Sequence, residues 1–270
     1  MPLPSFLPLF LGGIATGTIG AMLGLGGGVF LVPFLVLVLG LPMHQAIATS
    51  LVAVIATSSA GAAMNLERHT VNLRLGMLLE IATVAGAILG GLTANYLSGD
   101  ILKKVFSLVM LIVAVFMIRR GRQKNEDDHV SEDGVLPGSF HDQATRQTVT
   151  YTVKRIPAVM LVSLVAGNLS GLLGVGGGFF KVPAMHILSG IPMKAATATS
   201  NFMIGVTAAA SAFIYFSYGH LNPVIAASAA LGVLCGSFLG VQLNRRLKGT
   251  LLTWIFAVLL LVISVQMYLR

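Results

Sequence analysis

The sequence predicts an all-α fold, a polytopic bundle of membrane helices built from two homologous halves. Composition is the first observation, since 56% of the 270 residues are hydrophobic and only 10% are charged, against roughly 25% in soluble domains. The second is a series of eight apolar blocks, which reach or approach the roughly 20 residues that a membrane helix needs. The third is an internal repeat, in which residues 17–120 align with residues 167–270 without a gap.

The apolar blocks are separated by short turn-forming sequences. Because the bilayer core offers backbone groups no water to bond, each block should be helical. The first block of each half is too long for one span and is interrupted by glycines. We therefore expect glycine-broken or re-entrant helices, and eight to ten membrane segments in all. The blocks cover residues 4–39, 43–65, 74–97, 101–118, 157–189, 192–216, 222–244 and 250–269.

The charged residues are concentrated in one segment. Half of them lie within residues 119–156, and most of the remaining cations flank apolar blocks. A net charge of +8 in a soluble chain would suggest nucleic acid, but cations beside membrane spans are a topology signal. We expect the lipid bilayer as a partner and no nucleic acid. The single cysteine, Cys235, excludes an intrachain disulfide and a cysteine-based metal cluster.

The repeat divides the chain into three parts. The glycine-rich sequence at residues 24–33 returns at residues 174–183. We expect a first transmembrane repeat over residues 1–120, a charged soluble linker over residues 121–153 and a second transmembrane repeat over residues 154–270. The linker is polar, so we expect a solvent-exposed loop that joins the halves. Two homologous halves in a membrane are typical of secondary transporters.

The orientation of the halves has two solutions. Four crossings per half make the repeats parallel, whereas a reversal at each glycine run makes five passes per half and inverts one repeat relative to the other. The second count gathers most Lys and Arg residues on one side with the linker, as the positive-inside rule favours. Residues 29–39 would span only about 16 Å as a helix and would then be re-entrant. Both solutions remain open.

The two glycine runs are candidate substrate-binding segments. Glycine exposes backbone N–H groups, and irregular backbone survives in a membrane only inside protein or beside a water-filled cavity. A helix that restarts after the run directs N–H groups and a positive dipole end at the break, which attracts anions. Close helix packing is the alternative interpretation. The candidates are Gly26, Gly27, Gly28, Gly176, Gly177 and Gly178.

Two charged residues lie inside apolar blocks. Lys181 aligns with Leu31 in the repeat and is a candidate counter-charge for an anion, because intramembrane cations are costly and usually functional. Snorkelling to the interface is the alternative. Glu80 aligns with Ala230 and is a candidate for proton coupling. Its alternatives are pairing with Arg74 or a position near the membrane surface.

Small polar residues and paired glycines recur at equivalent positions of the two halves. Hydroxyl and amide groups inside apolar helices are candidate donors to substrate oxygens, although a hydroxyl that bonds the carbonyl one turn back has no such role. Glycines at GxxxG spacing predict close helix contacts. The candidate donors are Thr49, Ser50, Thr199, Ser200 and Asn201, and the contact glycines are Gly86, Gly90, Gly236 and Gly240.

The paired motifs resemble the sulfite exporter TauE/SafE family of membrane permeases. The stretch at residues 20–33 is followed by Leu41-Pro42-Met43 and Ala48-Thr49-Ser50. Its second copy at residues 171–183 is followed by Ile191-Pro192-Met193 and Ala198-Thr199-Ser200-Asn201, and Ser170 stands where the first copy has Gly20. The resemblance covers the chain outside the linker. It implies a multi-pass permease of the inner or plasma membrane for small anions, such as sulfite, sulfoacetate and other organosulfur compounds.

The sequence thus predicts a permease for a small anion, of the sulfite, sulfonate or organosulfur class, that works by alternating access between the halves. We expect no enzyme activity, cofactor or metal, because the spans lack an H-E-x-x-H sequence, paired aspartates and a metal-ligand cluster. A carrier for carboxylates or metal cations is one alternative, and a membrane scaffold or enzyme is another. Self-association into a homo-oligomer is left open.

Overall fold

The computed structural model describes residues 6–23, 27–122, 135–142, 147–244 and 249–269. Within these ranges the chain forms ten α-helices and one two-stranded hairpin. The first five helices are α1 (Phe6–Leu23), α2 (Gly28–Pro33), which a π-helical segment (Phe34–Val38) continues, α3 (Met43–Glu67), α4 (Leu73–Tyr96) and α5 (Gly99–Arg122). The hairpin strands β1 (Leu136–Asp142) and β2 (Gln147–Val153) precede α6 (Ile156–Leu173), α7 (Gly178–Ser189), α8 (Met193–Ser217), α9 (Pro223–Asn244) and α10 (Gly249–Leu269).

Five of the described helices, α3, α4, α6, α8 and α9, are long and apolar enough to cross a membrane. In each of them 44% to 56% of an apolar 18-residue stretch is buried inside the protein. The remainder includes large exposed side chains such as Ile81 and Phe213, which is the pattern of a helix with one face in protein and the other in lipid. The prediction of an all-α polytopic membrane bundle is confirmed.

The bundle has two ends, which we name by the hairpin. At the hairpin end, the turn between α3 and α4 meets both β2 and the start of α8. There Asn72 Nδ2 donates to the Tyr151 hydroxyl (3.3 Å), and the Asn72 N–H donates to Thr199 Oγ1 (3.0 Å). At the opposite end, the start of α3 meets the turn between α8 and α9, where the rings of His44 and His220 stack with centroids 4.8 Å apart.

The second glycine-broken helix is re-entrant. The backbone N–H of Lys154, just before α6, donates to the Ser189 carbonyl at the end of α7 (3.2 Å), so α6 starts and α7 finishes at the hairpin end. With 12 residues, α7 extends about 18 Å, well short of the roughly 30 Å hydrocarbon core. The chain therefore enters the bundle along α6, breaks at the glycines and returns along α7.

Glycines bring two pairs of helices into backbone contact, α4 with α6 and α9 with α1. A Cβ atom on any of four glycines would overlap a carbonyl oxygen of the facing helix. The predicted helix contacts are therefore confirmed. Both pairs run parallel, because later residues of one helix meet later residues of the other. The contacts are Gly86 with Leu164, Gly90 with Asn168, Gly236 with Ile14 and Gly240 with Thr18.

Helices α3 and α8 cross near their midpoints. Ser58 of α3 lies beside Gly205 of α8, and Asn201, one turn earlier on α8, lies near Gly61, further along α3. The two helices are therefore antiparallel. Helix α5 packs along α10.

The hairpin differs from the exposed loop that the linker composition predicts. Phe140, Tyr151 and Val153 are buried and belong to the same apolar cluster as Leu75 of α4 and Met185 of α7. The physical reason is the alternation of threonine with apolar residues in β2, which places the apolar side chains on one face of the strand. Residues 123–134 and 143–146 of the linker lie outside the described residues.

Candidate functional site

The two glycine breaks lie against each other inside the bundle. The Ser50 hydroxyl on α3 is 2.8 Å from the carbonyl oxygen of Gly174, at the end of α6, and 3.4 Å from that of Gly28, at the start of α2. A Cβ atom on Gly28 would come within 2.7 Å of the Gly174 carbonyl oxygen. Gly27 precedes α2, whereas Gly26 lies outside the described residues.

The second break requires glycine for its backbone conformation. Gly174, Gly176 and Gly177 have φ angles of +70°, +77° and +69°, which residues with a side chain rarely adopt. Gly178 starts α7, and the first N–H groups of a helix have no carbonyl within that helix to bond. The segment therefore supplies backbone donors that the helix itself does not use.

Two serine hydroxyls beside the second break are buried without a partner. Ser170 Oγ and Ser200 Oγ make no hydrogen bond within the described part of the chain, and neither residue has exposed surface. Ser200 Oγ is 3.4 Å from the position of a Cβ on Gly178, and Ser170 Cβ is 3.4 Å from that of a Cβ on Gly177. A buried unpaired hydroxyl costs free energy, so Ser170 and Ser200 each have a donor that the described residues leave unused.

Lys181 and Glu80 are the buried charged side chains in the described ranges, with 0% and 7% exposure. Lys181 Nζ on α7 donates to Thr207 Oγ1 on α8 (3.1 Å), and Thr207 Oγ1 donates to Glu80 Oε1 on α4 (2.7 Å). The same hydroxyl lies 2.9 Å from the Met203 carbonyl oxygen. Three helices thus hold an ammonium and a carboxylate that one hydroxyl joins, and Lys181 has none of the exposed surface that snorkelling would give it.

Three predicted donors do not adjoin the break through any described contact. Thr199 Oγ1 accepts the N–H of Asn72 in the turn between α3 and α4, and Asn201 lies near Gly61 on α3. Thr49 is buried on α3. The predicted polar residues therefore lie in different places. Ser50 and Ser200 adjoin the glycines, whereas Thr199 binds the turn between α3 and α4 at the hairpin end.

Sequence reasoning missed Thr207 and Ser170. The signal for Ser170 was its replacement of glycine at the position that aligns with Gly20. Thr207 aligns with Thr57, and the recurrence of threonine inside an apolar helix was the signal available for it.

The site carries hydrogen-bond donors rather than metal ligands. Among the described residues, no group of three or more His, Cys, Asp or Glu side chains could hold a metal ion. The carbonyls of Gly28 and Gly174 face the Ser50 hydroxyl, which leaves the Ser170 and Ser200 hydroxyls and the first backbone amides of α7 beside the second break, while the Lys181 ammonium on the same helix contacts Thr207. Donors of this kind, with a positive charge among them, bind oxyanions.

The chain matches the family model described as Sulfite exporter TauE/SafE over residues 9–267. It is 27% identical over 270 residues to the probable membrane transporter protein YunE of Bacillus subtilis, with 97% of each chain covered. A probable membrane transporter protein of Xylella fastidiosa (strain Temecula1) is 29% identical over 258 residues, with 93% of this chain and 91% of the relative covered. No solved structure matches the chain significantly.

The family match spans both glycine breaks and both buried charges. The relatives are named as membrane transporters over nearly the same length, and five described helices could cross a membrane. The chain is therefore a multi-pass membrane permease rather than an enzyme, and it belongs to the sulfite exporter TauE/SafE family.

Proposed function

We propose that the chain carries a small oxyanion of the sulfite and sulfonate class across the membrane and binds it at the glycine breaks. The pair of buried, unpartnered hydroxyls of Ser170 and Ser200 beside the second break carries this proposal. A sulfur oxyanion presents several acceptor oxygens on a small centre, which suits a cluster of short donors. The backbone amides of residues 176–178 complete the proposed site, and Ser50, whose proton goes to the Gly174 carbonyl, holds the two breaks together beside it.

Lys181 supplies the positive charge in this proposal. It lies in the first turn of α7, and the N-terminal end of a helix also carries the positive end of the helix dipole. In a low-dielectric interior both act strongly on an anion. Glu80 is the buried acidic side chain among the described residues, and Thr207 already donates to it. This arrangement favours an anion over the metal cation that the sequence left as an alternative.

We infer that the helices before and after the hairpin form two homologous halves, one inverted relative to the other. The first helix of each set packs against the fourth helix of the other set, α1 on α9 and α6 on α4. The third helices, α3 and α8, are antiparallel. A two-fold axis in the membrane plane produces such an exchange, and transporters with inverted repeats alternate access by moving one repeat against the other.

Uptake of radiolabelled sulfite into liposomes that contain the purified protein tests the proposed function. We expect saturable uptake, absent from protein-free liposomes, that unlabelled thiosulfate or methanesulfonate reduces by competition. Competition by small carboxylates alone would favour the carboxylate carrier. Absence of protein-dependent flux for all of these anions would contradict the proposal.

The substitution Ser200→Ala tests the location of the site. A hydrogen bond to a charged group is worth about 1.5–3 kcal/mol, so we expect sulfite affinity to fall by about tenfold or more. The control is Ser228→Ala, which removes another buried serine hydroxyl. Ser228 is on α9 and bonds the Val224 carbonyl one turn back (2.7 Å), so its loss should leave affinity unchanged. Equal affinities in the two variants would rule out Ser200 as a ligand.

A further inference from the structure

We infer that the Glu80 carboxylate is an internal counter-ion that an anionic substrate replaces at Lys181, with Thr207 as the switch between them, so that one proton accompanies each anion. This inference rests on the proposed function and specifies how transport is driven. Four features of the molecule support it: the burial of the charges, the two acceptors of one hydroxyl, an unpartnered carboxylate oxygen, and apolar residues at the repeat-related positions.

Burial requires that the two charges balance each other. Lys181 has no exposed surface and Glu80 is 7% exposed. A buried charge is costly unless it is paired and hydrogen-bonded. In the structure Lys181 and Glu80 provide this balance through Thr207, and an anion bound beside Lys181 would provide the same balance in place of Glu80.

Thr207 has one hydroxyl proton and two acceptors within reach. Its Oγ1 lies 2.7 Å from Glu80 Oε1 and 2.9 Å from the Met203 carbonyl oxygen. The proton can therefore point at the carboxylate or at its own helix, and Lys181 donates to the same oxygen in both cases. A hydroxyl that turns to Met203 leaves the carboxylate without its described donor.

The second oxygen of Glu80 is where a proton would be held. Glu80 Oε2 is buried and has no hydrogen-bond partner among the described residues. A carboxylate that loses both its hydrogen bond and its cation neutralises by taking up a proton rather than remain charged in an apolar site. Glu80 would then be a neutral carboxylic acid for as long as the anion occupies Lys181.

The repeat-related positions show that the fold itself does not need these charges. Leu31 aligns with Lys181 and Ala230 aligns with Glu80, and both apolar residues are buried. Thr57 aligns with Thr207, and its hydroxyl lies 3.1 Å from the carbonyl of Ala53 in its own helix. Buried ion pairs are often no more stabilising than apolar residues of similar volume. The pair in one half alone therefore indicates a role in transport rather than in packing.

No other charged group competes for this cluster by any contact that the structure describes. Helix α6 contributes no titratable side chain between residues 156 and 173. The titratable groups on the other helices packed here lie elsewhere: Arg74 at the start of α4 and the exposed Tyr96 at its end, Lys194 at the start of α8, His186 bonded to the Ile191 carbonyl, and Tyr215 bonded to the Gly171 carbonyl.

The transport step balances in charge and protons. A monovalent anion and one proton enter from the same aqueous side, the anion pairs with the Lys181 ammonium, and the proton converts the Glu80 carboxylate to a carboxylic acid. Both cross together without net movement of charge. Release on the other side returns the proton to water and restores the contact of Glu80 with Thr207.

Liposomes that contain the protein and a pH-sensitive dye in the lumen test this inference in the wild type. With the outside more acidic, we expect radiolabelled sulfite and radiolabelled methanesulfonate, assayed separately, to accumulate above their outside concentration. A methanesulfonate gradient should in turn carry protons in the same direction. Accumulation or flux of the anion without proton movement would overturn the inference and leave the proposed function intact. Absence of any anion flux would overturn both.

Variants separate coupling from transport. Glu80→Gln, which imitates the protonated acid, should retain exchange of labelled for unlabelled anion but lose accumulation driven by the proton gradient by about tenfold or more. Thr207→Val should weaken accumulation in the same direction. Thr57→Val makes the same change at the repeat-related position and should accumulate the anion as the wild type does. Full proton-driven accumulation in Glu80→Gln would overturn the inference.

Discussion

The Ser50 hydroxyl donates a hydrogen bond to the carbonyl of Gly174, 124 positions later in the chain (2.8 Å). The bond links a helix that precedes the hairpin to a glycine break that follows it. Gly28 lies against the same carbonyl, so the two breaks are in direct contact. The proposed binding site is therefore also a point of contact between the parts that would move in alternating access.

Removal of this contact should destabilise the bundle. Ser50→Ala leaves the buried Gly174 carbonyl without its donor, at a cost of about 1–3 kcal/mol. We expect a lower thermal unfolding midpoint in detergent than for Ser228→Ala, in which the hydroxyl lost bonds only its own helix. Equal midpoints would show that the Ser50 bond does not hold the breaks together.

The glycine contact between α4 and α6 should not tolerate a methyl group. A Cβ on Gly86 overlaps the Leu164 carbonyl oxygen, so Gly86→Ala must force the helices apart, at a cost of about 1–3 kcal/mol. Gly61→Ala is the matched control on α3, because its Cβ would meet only Asn201 Nδ2 at 3.9 Å. The thermal unfolding midpoints of the two variants measure this difference. Similar decreases in both midpoints would contradict the close contact between α4 and α6.

Docking of the hairpin should weaken at high pH. Burial raises the pKa of Tyr151 above its ordinary value near 10, while the hydrogen bond from Asn72 acts in the opposite direction. The folded protein thus holds this proton longer than the unfolded chain, so stability is lost as the pH rises above about 10. Protease sensitivity of the hairpin against pH measures the effect. Tyr151→Phe should remove the pH dependence, and an unchanged profile in that variant would assign it to another group.

The contact of His44 with His220, at the end of the bundle opposite the hairpin, should stabilise the protein less at low pH. Burial, together with the neighbouring His44, lowers the pKa of His220 below its ordinary value of 6.5. The unfolded chain then binds this proton first, so stability is present above about pH 6.5 and falls as the pH drops below it. Thermal unfolding midpoints between pH 5 and 8, compared with those of His44→Gln, report the effect. A wild-type midpoint that rises on acidification would contradict this description of the pair.

Much of the fold follows from the sequence because a bilayer leaves helices as the main solution for long apolar blocks. Glycine spacing also predicted close helix contacts at Gly86 and Gly90, although it did not identify α6 as the partner. The hairpin could not be predicted from the sequence. The alternation of threonine with apolar residues in β2 is short, and it lies in a charged segment whose composition is typical of an exposed loop. The helix order alone did not reveal that the turn at Asn72 would hold Tyr151.

The residues of the candidate site could be predicted where they recur in both halves of the sequence. They could not be predicted where only the packing of the helices brings them together. Ser50 and Ser200 recur at equivalent positions beside equivalent glycines, so the sequence singled them out. The pairing of Glu80 with Lys181 depends on how α4, α7 and α8 are rotated about their axes. Thr207, which joins them, carries no charge and recurs as an ordinary threonine.

The most direct test of the central claim is the thermal stability of the purified protein against sulfite concentration, in the wild type, Ser200→Ala and Ser228→Ala. A ligand that binds only the folded state raises stability in proportion to the logarithm of its concentration above the dissociation constant. The proposed site predicts that the wild type and Ser228→Ala respond at the same sulfite concentration, and that Ser200→Ala needs about tenfold more, for a loss near 1.4 kcal/mol. Identical responses in all three proteins, or none in the wild type, would contradict an oxyanion site at the glycine breaks.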